Sequence, residues 1–121
     1  MPLHESGEDY LEAILVLSQE HAIVRSVDIA EHLGVTKASV SKAMSILEEQ
    51  GYIKIVKRDV QLTETGREVA ERIYGRHVFF VRLLEQAGVD PELAAEEGCH
   101  LEHDLSEDSF QKLRALLADY A

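Results

Sequence analysis

The spacing of hydrophobic residues along the chain predicts a mainly helical protein. In the longest segment of this kind, residues 64–87, Val69, Ile73, Phe80 and Leu84 recur at helical spacing and therefore share one face. The predicted helices begin at or next to Ser6, Ser26, Thr36, Glu64, Pro91 and Ser106. Serine, threonine and aspartate favour such starts because their side chains accept hydrogen bonds from the first free backbone amides.

The segment YIKIVKRDVQLT, residues 52–63, has a different pattern. Its β-branched residues lie on both sides of a charged turn, which predicts a hairpin of two short antiparallel strands. The fold class expected from these elements is mainly α, with one small β-hairpin.

The stretch VDIAEHLGVTKASVSKAMSIL, residues 27–47, predicts a helix-turn-helix. Such a motif needs a small residue where its helices cross, a turn residue that tolerates positive φ, and an apolar anchor in the second helix. Ala30, Gly34 and Val40 meet these needs at suitable spacing. The hairpin that follows makes this the winged variant. A helical hairpin inside an ordinary bundle is the alternative interpretation.

The outward face of the second helix is polar or basic, as a helix that enters the DNA major groove requires. Its candidate DNA-binding residues are Thr36, Lys37, Ser39, Ser41 and Lys42. In the hairpin turn, Lys57 and Arg58 are candidates for contacts with the phosphate backbone. The alternative for these two residues is a solvated basic turn.

The distribution of charge favours a DNA contact in this part of the chain. The net charge is −11, but residues 22–66 contain six basic and six acidic residues, so the excess of acids lies elsewhere. Residues 32–47 contain two lysines and no acid. A polyanion is therefore expected to bind at the helix-turn-helix, and a cation in the acidic remainder.

A group of potential metal ligands, CHLEH at residues 99–103, lies in the acidic part. On a helix, positions i, i+3 and i+4 share a face, so Cys99, Glu102 and His103 are expected to converge while His100 turns away. Sulfur, carboxylate and imidazole donors together suit a transition metal, although the spacing differs from that of zinc-protease and paired CxxC motifs. A solvated polar face beside a buried cysteine is the alternative.

Two other predicted helices carry groups of the same kind. His77 lies on the apolar stripe of the long helix and is expected to point inward, where a core histidine without a metal is the alternative. Asp9 and Glu12 share a face of the first helix. The alternative for them is that the helix dipole favours acidic residues near a helix start without any metal. Together the three helices offer the groups that a metal site needs.

At these residues the chain resembles the diphtheria toxin repressor and manganese transport regulator family of metal-dependent transcription factors, in its short two-domain form. The resemblance rests on GEDYLEAI, the predicted winged helix, RHVFFVRLLEQAGVD and CHLEHDLS, which occur in the family's order and spacing. It implies a winged helix-turn-helix DNA-binding domain over residues 1–66 and a helical metal-binding and dimerisation domain over residues 67–121.

The resemblance also implies a ligand set: Asp9, Glu12, His77, Cys99, Glu102 and His103. Asp9 matches manganese-type members, which have glutamate at the position of Cys99, whereas Cys99 matches iron-type members, which have methionine at the position of Asp9. The implied site is a hybrid, so Mn²⁺ or Fe²⁺ is expected, and Zn²⁺ or Co²⁺ is expected to bind in vitro. His4 and His100 are further donors whose role the sequence leaves open.

The implied function is repression of metal-homeostasis genes. Metal held between the two domains is expected to fix a homodimer for binding to a palindromic operator in double-stranded DNA. No enzyme activity and no small organic substrate are expected, because no second catalytic group lies at useful spacing. The alternatives are a metal-independent winged-helix regulator that responds to another effector, a metalloenzyme, and a dimerisation or adaptor module.

A cytoplasmic location is expected, without membrane attachment. The single cysteine cannot form an internal disulfide, and the first residues lack the pattern of a secretory signal. No apolar run is long enough to span a bilayer.

Overall fold

Helices make up most of the structure, a computed structural model that describes residues 5–121. Its elements are α1 (Glu5–Glu20), α2 (Ser26–Leu33), α3 (Lys37–Glu49), β1 (Ile53–Val56), β2 (Asp59–Leu62), α4 (Glu64–Gln86), α5 (Pro91–Leu101) and α6 (Glu107–Leu116). The mainly helical prediction is confirmed. By its internal contacts the chain divides within α4 into a first unit that ends at Glu71 and a second unit, Arg72–Ala121. Within residues 5–121, no helix combines the length and the apolar character that a membrane span requires.

The core of the first unit joins α1, α2, α3 and the hairpin. Leu11 and Ile14 of α1, Ile29 of α2, Val40 of α3 and Ile53 of β1 are at most 2% exposed. Full burial of one such side chain contributes about 1.5–3 kcal/mol to folding. These contacts fix the orientation of α3 and of the hairpin within this unit.

The turn between α2 and α3 uses the predicted residues. Gly34 ends α2 in the left-handed conformation, with φ 68°, which costs glycine little. Thr36 caps α3 by accepting a hydrogen bond from the Ser39 N–H at 3.0 Å. At the start of α2 the expected cap is wrong by one residue. Ser26 is already helical, and the carboxylate of Asp28 accepts the N–H of the capping residue Arg25 at 3.0 Å.

The hairpin forms as predicted, with β1 and β2 paired antiparallel from Ile53–Leu62 to Val56–Asp59. Lys57 and Arg58 form its two-residue turn, and both have positive φ, 52° and 68°. Positive φ at both central residues is the geometry of a type I′ turn, which normally favours asparagine and glycine. Lysine and arginine therefore stand at two positions whose backbone conformation is unfavourable for residues of their type.

The second unit has an aromatic core. The ring centroids of Phe79 and Phe80 of α4 lie 5.4 and 5.9 Å from that of Phe110 of α6, and 5.3 Å from each other. Gly98 lets α5 approach α4 closely, because a Cβ at this position would lie 2.7 Å from Cγ2 of Val81. This close approach fixes the start of the CHLEH motif against α4.

Candidate metal centre and DNA-binding surface

The two faces of α3 differ in character. Val40, Met44 and Leu47 are buried within the first unit. The candidate DNA-binding residues of this motif are all exposed: Thr36, Lys37, Ser39, Ser41 and Lys42. Lys57 and Arg58 of the hairpin turn are exposed as well. Hydroxyl and ammonium groups of this kind can contact base edges and phosphates, so the first unit presents a surface with the chemistry of a DNA-binding site.

Two carboxylates hold the hairpin in place. Glu48 of α3 accepts the N–H of Ile55 at 3.0 Å, and Asp59 accepts the N–H of Val24 at 2.9 Å. Hydrogen bonds from the Gln61 side chain and from Val24 hold the pKa of Asp59 below its usual range. The bonded residues are 7 and 35 positions apart in sequence, so no local pattern marks them. Helix α3 and strand β1 of the hairpin are thereby joined by a direct hydrogen bond.

Glu102 lies at the centre of a group of potential ligands in the second unit. Its side chain is fully buried, which is unusual for a carboxylate. One carboxylate oxygen lies 3.0 Å from Nδ1 of His77. The other lies 3.3 Å from Nε2 of His103 and 3.9 Å from Sγ of Cys99. The structure therefore brings together four of the six residues that the sequence suggests as ligands.

The CHLEH motif is not wholly helical. α5 ends at Leu101, and Glu102 is its C-terminal cap, although its backbone keeps helical angles, φ −64° and ψ −21°. His103 follows in the turn, where its side chain is 3% exposed. The convergence expected from helical spacing occurs because the cap residue continues the helical course by one step. His100 is exposed, as expected for a residue on the opposite side.

Asp9 and Glu12 lie one turn apart on α1, in the first unit. Each is partly buried, and the intervening Tyr10 and Leu11 belong to the core. His4 lies outside the described residues. The structure thus places the two acids on a helix whose neighbouring residues are packed in the core.

The donor set of the second unit fits a transition-metal ion. Imidazole nitrogens, carboxylate oxygens and a sulfur are ligands that such ions prefer. Atoms bound to one ion at roughly 2.0–2.3 Å lie about 3.0–3.7 Å from one another. The separations of 3.0, 3.3 and 3.9 Å around Glu102 are close to that spacing. Because its two oxygens face different imidazoles, this carboxylate can bind one ion with both oxygens or link two ions.

A buried arginine lies next to these residues. Its place there is not predicted from the sequence, because arginine does not belong to any metal-ligand motif. Arg76 of α4 is 5% exposed and donates a hydrogen bond from Nη1 to the Glu102 carbonyl at 3.1 Å. The one sequence signal is its position at helical spacing between Ile73 and Phe80, both buried. A charged residue on an apolar stripe indicates specific partners inside the protein.

A winged helix combined with such a donor set defines a metal-responsive regulator of transcription. Residues 2–59 match the family model described as iron dependent repressor, N-terminal DNA binding domain. Residues 63–121 match the model for the metal binding and dimerisation domain of the iron dependent repressor. The chain belongs to the iron-dependent repressor family, and the resemblance to metal-dependent transcription regulators is confirmed.

Individual relatives agree with this assignment. The chain is 34% identical to the transcriptional regulator MntR of Bacillus subtilis, over 93% of this chain and 80% of that protein. It is 30% identical to an uncharacterised helix-turn-helix regulator of Methanocaldococcus jannaschii, over 98% of this chain and 97% of that protein. A solved manganese-dependent transcriptional repressor in complex with manganese is similar with a TM-score of 0.82 and 29% identity, over 93% of this chain and 52% of that chain. These relatives are regulators of transcription.

Proposed function

We propose that this protein is a repressor whose binding to operator DNA requires Mn²⁺ or Fe²⁺. The observation that carries the proposal is the fully buried carboxylate of Glu102, with the imidazoles of His77 and His103 at 3.0 and 3.3 Å. A buried carboxylate needs cationic or hydrogen-bonding partners, and a group of nitrogen, oxygen and sulfur donors around it is suited to a divalent cation. The same chain exposes Lys37 and Lys42 on α3, within a stretch, residues 32–47, that contains no acid.

The proposed ligands extend to Asp9 and Glu12 of α1. Support for these two comes from their carboxylate chemistry, their spacing and the family resemblance. In the absence of metal, the ionised carboxylates and the thiolate of such a site repel one another. This repulsion is proposed to leave α1 loosely held. A divalent cation, when bound, supplies the positive charge that offsets this repulsion. The second unit's own contribution is to hold the donor atoms of His77, Cys99 and His103 close to Glu102 and to exclude water from that carboxylate.

The proposed metal is Mn²⁺ or Fe²⁺, for reasons of donor chemistry. Carboxylate oxygens favour Mn²⁺, whereas the thiolate of Cys99 favours Fe²⁺ and softer ions. A related protein of known structure is manganese-dependent. Zn²⁺ and Co²⁺ are expected to bind in vitro because both accept imidazole and thiolate ligands.

The proposed DNA partner is a palindromic operator, bound by two copies of the chain. Each copy places α3 in a major groove, with Lys57 and Arg58 against the phosphate backbone. Two-fold symmetry of the protein then requires half-sites about one helical turn, or a multiple of it, apart. Genes of metal homeostasis are the proposed targets.

Selection from a random library of DNA duplexes tests this function. The protein is equilibrated with the library at buffered free Mn²⁺, Fe²⁺ (anaerobically), Zn²⁺ or Co²⁺, and in EDTA. We expect a palindromic sequence to be enriched with Mn²⁺ or Fe²⁺ and no sequence to be enriched in EDTA. Enrichment of the same sequence in EDTA would instead support a metal-independent winged-helix regulator.

Ligand variants complete this test. Cys99→Ala and His103→Ala are expected to abolish the enrichment while circular dichroism and sedimentation show an unchanged fold and oligomeric state. Asp104→Ala, which removes the neighbouring exposed acid, serves as the matched control and should behave as the wild type. A His103→Ala protein that still enriches the sequence only when metal is added would overturn the ligand assignment.

A further inference from the structure

Arg76 is buried and donates three hydrogen bonds to residues 102–107. Its Nη1 donates to the carbonyl oxygens of Glu102 and Leu105 at 3.1 and 2.6 Å, and Nη2 donates to the carboxylate of Glu107 at 3.1 Å. The guanidinium also lies over the ring of Phe110, 5.0 Å from the ring centroid. Hydrogen bonds from the Gln111 side chain and from Arg76 hold the pKa of Glu107 below its usual range. These partners offset the cost of burying the charge.

The two carbonyls that Arg76 binds belong to the segment between α5 and α6. This segment, residues 102–106, contains Glu102 and His103. Its backbone bonds to α5 are the Glu102 N–H to the Gly98 carbonyl at 3.2 Å and a long Asp104 N–H to Leu101 carbonyl bond at 3.4 Å. One of the two carbonyls that Arg76 binds precedes His103 in sequence and the other follows it. Arg76 therefore adds hydrogen bonds to residues 102–105, which make few backbone hydrogen bonds to α5.

Arg76 also precedes His77, a third member of the ligand group. Its backbone is part of the long helix α4, so the position of His77 is fixed by that helix. The guanidinium of Arg76 joins α4 to the segment that carries Glu102 and His103 through two hydrogen bonds. Nδ1 of His77 lies 3.0 Å from the carboxylate of Glu102, a residue of that segment.

We propose that Arg76 is the positioning residue of the metal centre: it fixes the backbone of residues 102–105 so that Glu102 and His103 face His77. This inference rests on the proposed metal site. Arginine suits the role because its planar fork donates several hydrogen bonds in fixed directions. Lysine keeps the charge but cannot reach two carbonyls and a carboxylate with the same geometry.

The test compares Arg76→Lys and Arg76→Gln with the wild type in the absence of DNA. Mn²⁺ affinity is measured by competition with a fluorescent chelator, and the absorption spectrum of bound Co²⁺ reports ligand geometry. We expect both variants to bind Mn²⁺ roughly tenfold more weakly, as is typical when a residue that orients ligands is changed. The Co²⁺ spectrum should change as well, which a loss of global stability alone would not produce. Thermal unfolding in EDTA defines the temperature at which each variant is folded.

Three further variants make the outcome decisive. Arg82→Gln removes an exposed arginine of the same helix and should keep wild-type affinity. Glu107→Gln, a surface change, weakens the hold on Arg76 and should reduce Mn²⁺ affinity about threefold, so the proposal stays testable if Arg76 variants do not fold. His103→Ala tests the metal site itself.

Wild-type Mn²⁺ affinity and Co²⁺ spectrum in Arg76→Lys, with weak binding by His103→Ala, would overturn the role of Arg76 and leave the metal site standing. If the Arg76 variants do not fold, a Glu107→Gln protein that binds Mn²⁺ as tightly as the wild type would overturn the positioning role of Arg76. Unchanged affinity in His103→Ala would overturn the metal site instead.

Discussion

Glu102 shows how a single residue organises the proposed metal centre. Its carboxylate is fully buried and lies within 3.9 Å of donor atoms from His77, Cys99 and His103. A carboxylate in this setting is favourable only with partners that supply hydrogen bonds or positive charge. The imidazoles meet that need without metal, and a bound cation meets it more strongly. The site is therefore ordered around one acid rather than around the cysteine.

Cys99 permits a specific spectroscopic prediction, because the chain has only one cysteine. A thiolate-to-Co²⁺ charge-transfer absorption can then arise from no other residue type. We expect the wild type with Co²⁺ to show this band and Cys99→Ser to lack it. The variant should lose roughly tenfold or more in affinity for Co²⁺ and less for Mn²⁺, because a hydroxyl is a harder donor than a thiolate.

Ultraviolet absorption and competition titrations measure both effects. His100→Ala is the control, since this exposed histidine lies next to Cys99 in sequence and should leave band and affinity unchanged. Absence of the band in the wild type with Co²⁺ bound would remove Cys99 from the ligand set.

At the scale of single elements, local sequence patterns account for most of the fold. Helical spacing and caps such as Thr36 predict the helices, and β-branched residues around Lys57-Arg58 predict the hairpin. Such features depend on neighbours within a few positions, so the sequence displays them. The N-terminal cap of α2 and the end of α5 lie one or two residues from their predicted positions, which is common at helix ends.

Contacts between elements are where prediction from the sequence stops. The bond of Asp59 to Val24 spans 35 residues, and that of Arg76 to Leu105 spans 29. No periodicity encodes such pairs, because they depend on how elements pack. The ligand group is predictable for a different reason: Cys99, Glu102 and His103 are close in sequence, and His77 lies on the apolar stripe of its helix, a position that the family resemblance supports. The domain boundary at residues 66 and 67 stays a prediction.

The hairpin turn supports a prediction at this scale. Lys57 and Arg58 have positive φ, which Asn-Gly adopts more readily in a type I′ turn. The double variant Lys57→Asn, Arg58→Gly should therefore keep the hairpin and change the free energy of unfolding by zero to about 1 kcal/mol in the stabilising direction. Operator affinity should fall, because two phosphate contacts are lost.

Fluorescence anisotropy across a range of salt concentrations measures the DNA effect of this variant. The slope of log affinity against log salt should decrease by about 2, close to one unit per phosphate contact. Lys112→Gln on α6 removes a charge in the second unit and is the control. A double variant with the wild-type slope would show that the hairpin turn does not contact phosphate.

At the scale of the whole molecule, charge sets the balance between DNA and metal. The net charge of −11 opposes approach to DNA, while residues 32–47 contain no acid. Bound divalent cations reduce the negative charge and are proposed to hold α1 in place. Both effects increase affinity for DNA only when metal is present, so the two binding events are proposed to be linked. Linkage of this kind is reciprocal for binding free energies.

Coupling between metal binding and DNA binding is measured by titrating the protein with Mn²⁺ in the presence and absence of the selected operator duplex. We expect the operator to increase Mn²⁺ affinity by the same factor by which Mn²⁺ increases operator affinity, and a scrambled duplex to have a much smaller effect. Equal Mn²⁺ affinity with the operator, with the scrambled duplex and without DNA would show that metal binding and DNA binding are independent, and the protein would then not be a metal-dependent repressor.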